Sequence, residues 1–220
     1  MDSCCSAIWN VLPAASLSRV VELRRGVSAQ EAREDWHQGP ASGLHRARAC
    51  DNGRKGAIGE RWVHEIKFDG YRVQTHLANA EVKIFSRRGH DWTTRFRKVA
   101  DDAWHIEAGS AIIDGEVVVP SADGTTDFSV LQNELKGRST KIVLVAFDLL
   151  YLNGHDLRKL PLVERKARLR KLIDGTNIQF SESFEIDGRE MFKHACKTGL
   201  EGVVSKVRDS RYPIGRTNDW

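Results

Sequence analysis

Polar and apolar positions divide this chain into two regimes. Up to about Gly59 the charges are scattered, glycines recur, and no period is sustained beyond one short helical stretch over residues 17–25. From Arg61 onward, two-residue and 3.6-residue periods alternate and are cut by turn residues. The pattern predicts a strand at Trp62–Lys67, ending in the turn-prone Asp69-Gly70. A hairpin follows over 71–77 and 81–86, joined at Asn79. Helical spacing over 93–105 offers Phe96, Val99 and Trp104 as buried positions. The β-branched run 110–119 reads as a buried strand and 128–135 as a short helix. Residues 141–150 form the strongest strand signal, closed by a turn at Asn153-Gly154. Pro161 suits the first turn of a helix running to 173. A strand at 178–184, a helix at 188–198 and a strand at 200–206 complete an α+β pattern rich in antiparallel sheet. The first 59 residues read as a poorly structured N-terminal extension, and 60–220 as the folded domain.

Composition changes this picture little. At 220 residues the chain can bury roughly 70% of the surface its unfolded form exposes, enough for a core without staples. The net charge of +4 leans toward a polyanionic partner. None of the four cysteines sits in a CxxC pair, so neither a zinc site nor a disulfide framework is suggested, and a reducing cytoplasmic setting fits. The N-terminus lacks a basic region ahead of its short apolar stretch, so it reads as neither signal peptide nor membrane anchor.

Five segments carry candidate chemistry. In Glu65-Ile66-Lys67-Phe68-Asp69-Gly70-Tyr71-Arg72, extended alternation would put Lys67 and Asp69 on one face. A lysine partly desolvated among cations loses basicity and becomes an amine nucleophile, which Asp69 could orient. Phe85-Ser86-Arg87-Arg88-Gly89 presents a guanidinium fork suited to phosphate, although alone it reads as an ordinary basic turn. Asp114-Gly115-Glu116 places two carboxylates inside an apolar strand, costly unless they meet a metal, a sugar hydroxyl or a cation. Phe147, in Val145-Ala146-Phe147-Asp148, reads as core or as a stacking surface for a purine. In Glu201-Gly202-Val203-Val204-Ser205-Lys206 the acid suits Mg²⁺ and the amine a phosphate, but alternation separates them. A bulge at Gly202 would be needed to bring them to one site.

Taken in order, these segments resemble the nucleotidyltransferase motifs of ATP-dependent DNA ligases, closest to the ligase domain of bacterial non-homologous end-joining ligases. The linking text agrees: HEIKFDGYR at 64–72, RGHDWT at 88–93, DFSVLQ at 127–132 and LLYLNG at 149–154. The resemblance covers residues 62–220 and implies an antiparallel-sheet-rich, ATP-grasp-like adenylation domain. By this likeness Lys67 would take AMP from ATP, with Asp69 assisting, and pass it to a DNA 5′-phosphate. Arg72 and Arg87 would contact the nucleotide and then the 5′-phosphate. Glu65 would read the adenine edge, Glu116 hold the ribose, Phe147 stack on adenine and Lys206 bear on the phosphate. Glu116 and Glu201 would place Mg²⁺ or Mn²⁺. The implied partners are nicked or broken double-stranded DNA and end-joining repair proteins, with no membrane, in a bacterial cytoplasm at the nucleoid. The family's lysine-bearing strand and oligonucleotide-binding barrel would follow Trp220, where the chain stops, so nick sealing is in question. RNA ligases and GTP-using capping enzymes share the lysine chemistry, and a silent nucleotide- or DNA-binding remnant is the remaining alternative.

Overall fold

A computed structural model describes residues 59–121, 124–137 and 140–212. The helix expected at 17–25 and the character expected of the N-terminal extension up to residue 58 lie outside them. The strands are β1 (Trp62–Lys67), β2 (Tyr71–Ala78), β3 (Glu81–Ser86), β4 (Ser110–Val118), β5 (Val143–Leu152), β6 (His155–Asp156), β7 (Gln179–Phe180) and β8 (Gly202–Val207). The helices are α1 (Arg97–Trp104), α2 (Phe128–Glu134), α3 (Leu162–Leu172) and α4 (Gly188–Lys197). One sheet runs β3-β2-β4-β5-β6, all antiparallel, with β7 added parallel to β5. The other is a two-stranded antiparallel ribbon of β1 and β8. First and last strands pair, so chemistry coded far apart in sequence meets across one ribbon.

Turn chemistry sets the hairpins. Asn79 and Ala80 both adopt positive φ, as do Asn153 and Gly154, and two-residue loops of this kind match the twist of paired strands. Between β4 and β5 the register slips twice, skipping Leu150 and Phe147 on β5. Each slip leaves one β5 residue without a partner, as a β-bulge does.

The core lies on one face of the larger sheet. Val73, Leu77, Ile84, Ile113, Val117 and Leu149 pack there with Phe96, Val99 and Ala103 beside α1, and with Leu169 of α3. Phe96 and Val99 are buried as expected, but Trp104 is 57% exposed. The helix begins only at Arg97 and buries Val99, Ala100 and Ala103, so Trp104 falls off that stripe. The strand expected over 178–184 is also broken. It pairs with β5 for two residues, then leaves that edge, and Phe184 bridges His64 on the ribbon. Cys196 on α4 is disulfide-bonded, a bond the cysteine spacing did not suggest. Among the described residues, no helix is long and apolar enough to cross a membrane.

Candidate functional site

The ribbon supplies one wall of a cleft. Along β1, Val63, Glu65 and Lys67 share a face, and the register sets Lys206 opposite Val63 and Gly202 opposite Lys67. Lys67 is ion-paired with Glu201, and both side chains are about a quarter exposed, at 23% and 26%. No bulge at Gly202 is needed: the ladder is continuous from Gly202 to Val207, and Glu201 precedes the strand. Freed from alternation, its carboxylate turns to Lys67 while Lys206 keeps its own register. Lys67 is therefore set against an acid, where the sequence reading expected surrounding cations.

Glu65 is buried and fully engaged. Its Oε1 accepts from Lys166 Nζ at 2.9 Å and Ser183 Oγ at 3.2 Å. Its Oε2 accepts from Lys206 Nζ at 2.9 Å and Ser181 Oγ at 3.0 Å. Burial alone would push this carboxyl up, but the ammonium groups of Lys206 and Lys166 outweigh it and hold it below its ordinary range.

The larger sheet supplies the opposite wall. Arg72 grips Asp114 through two hydrogen bonds, Nε to Oδ1 at 3.2 Å and Nη2 to Oδ2 at 2.7 Å. Tyr212 Oη donates to the same carboxylate at 2.9 Å. Burial works against the Arg72 charge, yet Asp114 more than compensates, and the guanidinium stays firmly protonated. Glu116 lies opposite Arg72 in the ladder. Burial first, then the field of Asp114, Glu201 and Asp69, raises its carboxyl to about 8 against the opposing pull of Arg72. Phe147 is the extra residue in the β4–β5 register slip at Asp114-Gly115. Two cations lie over its ring, Arg72 (guanidinium carbon 5.4 Å from the centroid) and Lys206 (Nζ 4.7 Å). The slip takes Phe147 out of the core alternation that an unbroken strand would give it.

Two glycines sit where no side chain fits, Gly70 between the ribbon and β4 and Gly115 between β4 and β5. A Cβ on Gly70 would collide with the Val117 carbonyl and lie 2.8 Å from Val118 Cγ1. One on Gly115 would lie 2.7 Å from Leu144 Cδ1 and 2.8 Å from the Val145 carbonyl.

Asp69 lies two residues beyond the end of β1 and, with Glu201, acts on the Glu116 carboxyl. Its backbone N–H donates to Thr126 Oγ1 at 3.0 Å. Arg87 sits one residue past β3, where continued register would put it opposite Arg72. Its turn is closed by Gly89, whose N–H donates to the Ser86 carbonyl at 2.8 Å.

Lys166, Arg165, Asp148 and Tyr212 were not singled out from sequence. A signal for the first two existed. Leu162, Arg165, Lys166, Leu169 and Ile173 follow helical spacing, so two cations lie on the apolar face of α3. Charge on that face implies buried acceptors, here Asp148 and Glu65.

The cleft suits a cation and a nucleotide. Glu201 Oε2 is buried without a hydrogen-bond partner, and burial, with the nearby acids adding to it, raises the Glu116 carboxyl. A divalent ion would relieve both. No cluster of three metal-type donors occurs among the described residues, so such an ion would be completed by phosphate oxygens and water, as Mg²⁺ commonly is.

Residues 46–220 match the family model of the ATP dependent DNA ligase domain. The multifunctional non-homologous end joining protein LigD of Pseudomonas aeruginosa is 40% identical over 163 residues, which is 72% of this chain and 19% of that protein. LigD of Mycobacterium tuberculosis, described as a DNA repair protein, is 36% identical over 73% of this chain and 21% of its own length. The chain thus spans about a fifth of these relatives. A mycobacterial DNA ligase D solved with ATP and MES superposes with a TM-score of 0.65 at 35% identity, over 74% of this chain and 54% of that one. The mixed fold with its antiparallel-rich sheet is therefore that of a LigD ligase domain.

Proposed function

Because the chain belongs to the ATP-dependent DNA ligase domain family, we propose that Lys67 takes AMP from ATP and passes it to a DNA 5′-phosphate. One observation carries this reading. Lys67 meets Glu201 beside a sheet on which Phe147 lies within reach of two cations, a layout suited to a phosphate chain and a flat base. The ATP in the related mycobacterial structure supports the choice of nucleotide.

In the first step the unprotonated Lys67 amine attacks the α-phosphorus, a P–N bond forms, and pyrophosphate leaves. A DNA 5′-phosphate oxygen then takes the AMP, returning the lysine as a free amine. Attack by a 3′-hydroxyl expels AMP and closes the break. Such transfers depend on in-line positioning and on cations that neutralise the transferring group. Arg72 and Arg87 serve that end, Lys206 bears on the phosphates, and Asp69 assists the lysine. Phe147 stacks on adenine, Glu65 reads its amino edge and Glu116 holds the ribose. Mg²⁺ or Mn²⁺ held by Glu116 and Glu201 would neutralise phosphate charge. The substrate is nicked or broken duplex DNA, with end-joining repair proteins as partners, in the bacterial cytoplasm at the nucleoid.

The test is incubation of the purified chain with α-labelled ATP and Mg²⁺, then a denaturing gel. A labelled band lost in Lys67→Ala is expected. Label that persists in Lys67→Ala overturns the nucleophile, and a folded wild-type chain that takes no label removes the first step.

A further inference from the structure

We propose that Lys166, outside every segment assigned to the chemistry, is a positioning residue for base selection: it fixes Glu65 as the acceptor for the base's exocyclic amine. This rests on reading Glu65 and Phe147 as the base site.

A carboxylate offers about four acceptor positions. Glu65 fills them with Lys166, Lys206, Ser181 and Ser183. A purine amine can therefore be read only if one donor yields. Lys206 is the one in the way, because its Nζ also lies over the Phe147 ring that a base would cover. Lys166 is held differently. Its ammonium donates to the Ser181 carbonyl at 2.7 Å and the Phe147 carbonyl at 3.5 Å, and lies 4.6 Å from the Phe180 centroid. Anchored in this way, it stays when Lys206 leaves.

Lys166 therefore does two things from beneath the site. It keeps one cation on Glu65, so the carboxylate remains an acceptor rather than a donor. It also ties that carboxylate to the backbone of Phe147, setting the distance between the stacking ring and the edge reader. Burial lowers the basicity of Lys166, Glu65 restores part of it, and Lys206 and Asp148 oppose each other as smaller influences. The charged groups facing Glu65 are Lys166 from α3 and Lys206 from β8. An ionised Glu65 matches adenine, which offers an amine at position 6. It repels guanine, whose carbonyl there would meet a second acceptor.

The experiment measures Kd for ATP and for purine riboside 5′-triphosphate, which lacks the 6-amino group, on the full chain by calorimetry. Wild type is expected to prefer ATP by about tenfold, the worth of one hydrogen bond to a charged group. Lys166→Met should erase most of that preference by weakening ATP alone, with the analogue unchanged within about twofold. Lys166→Arg should restore part of it. If methionine does not fold, Lys166→Gln, which keeps a donor but no charge, takes its place with the same expectation. Equal weakening of both nucleotides would mean a merely structural lysine and would overturn the proposal while the base site stands. A wild type that binds both alike, or neither, overturns the base-site reading and the proposal with it.

Discussion

Arg165 and Asp148 face each other without exposed surface, joined by two parallel hydrogen bonds, Nε to Oδ1 at 2.7 Å and Nη2 to Oδ2 at 2.9 Å. The same guanidinium donates to the carbonyls of Leu160 and Ser210, at 2.5 and 3.0 Å. The pair therefore pins α3, β5 and the segment after β8 together, directly behind Phe147. Removing one partner strands a buried charge, which typically costs 3–5 kcal/mol. Arg165→Met should lower unfolding free energy by about that much in urea denaturation. Asp148→Leu added to it should recover part of the loss, because the stranded carboxylate is gone. A single-variant loss below about 1 kcal/mol would show the pair to be dispensable.

Gly70 tests the closeness of the two walls. Any Cβ there meets the Val117 carbonyl and Val118, both in the interior. Gly70→Ala should destabilise by about 1–3 kcal/mol, as overpacking does, and move the backbone that carries Lys67. The expected signature is a lowered Tm together with label transfer reduced more than tenfold, since small displacements at a reacting group can cost about a hundredfold. Normal label transfer would show that the close contact does not position the lysine.

Glu116 should write itself into the pH dependence of stability. Its carboxyl titrates near 8 in the fold against an ordinary value of 4.5, so the folded chain holds a proton that the unfolded chain has released. Stability therefore falls as pH climbs from 4.5 to about 8 and levels off above that range. Glu116→Gln carries no such charge. In metal-free buffer its Tm advantage over wild type should grow across that window and then stay constant. A constant difference from pH 5 upward would place the raised carboxyl elsewhere.

Arg95 offers a test of the proposed DNA contact. It is exposed, with its guanidinium carbon 4.8 Å from the Tyr71 centroid and 4.9 Å from that of Trp92. With Arg87 and Arg88 it should make salt-sensitive, sequence-independent phosphate contacts. Duplex affinity measured by anisotropy should fall linearly on a log–log plot against salt. Arg95→Ala should weaken binding and reduce that slope by about one. Affinity that ignores salt would exclude an electrostatic interface.

Much of this molecule is written in local pattern. Strands β1 to β5 and β8, helices α2 to α4 and both left-handed turns follow from alternation, helical spacing and Asn/Gly placement, within a residue or two. Turn and pattern signals act over neighbours, so they survive without tertiary context. The five chemical segments were legible as residue types in order. What they touch was not, because that depends on strand ends and register. Asp69 lies beyond the end of β1, so strand alternation does not set its direction, and Glu201 reached Lys67 because β8 starts two residues later than its pattern suggests. Phe147 came within reach of two cations through a slip in register that no periodicity records. Helical spacing puts Arg165 and Lys166 on the apolar face of α3, but which acids meet them, brought from β5 and β1, only the fold decides. Burying a charge is costly without a partner, and only the tertiary structure could say that each had one.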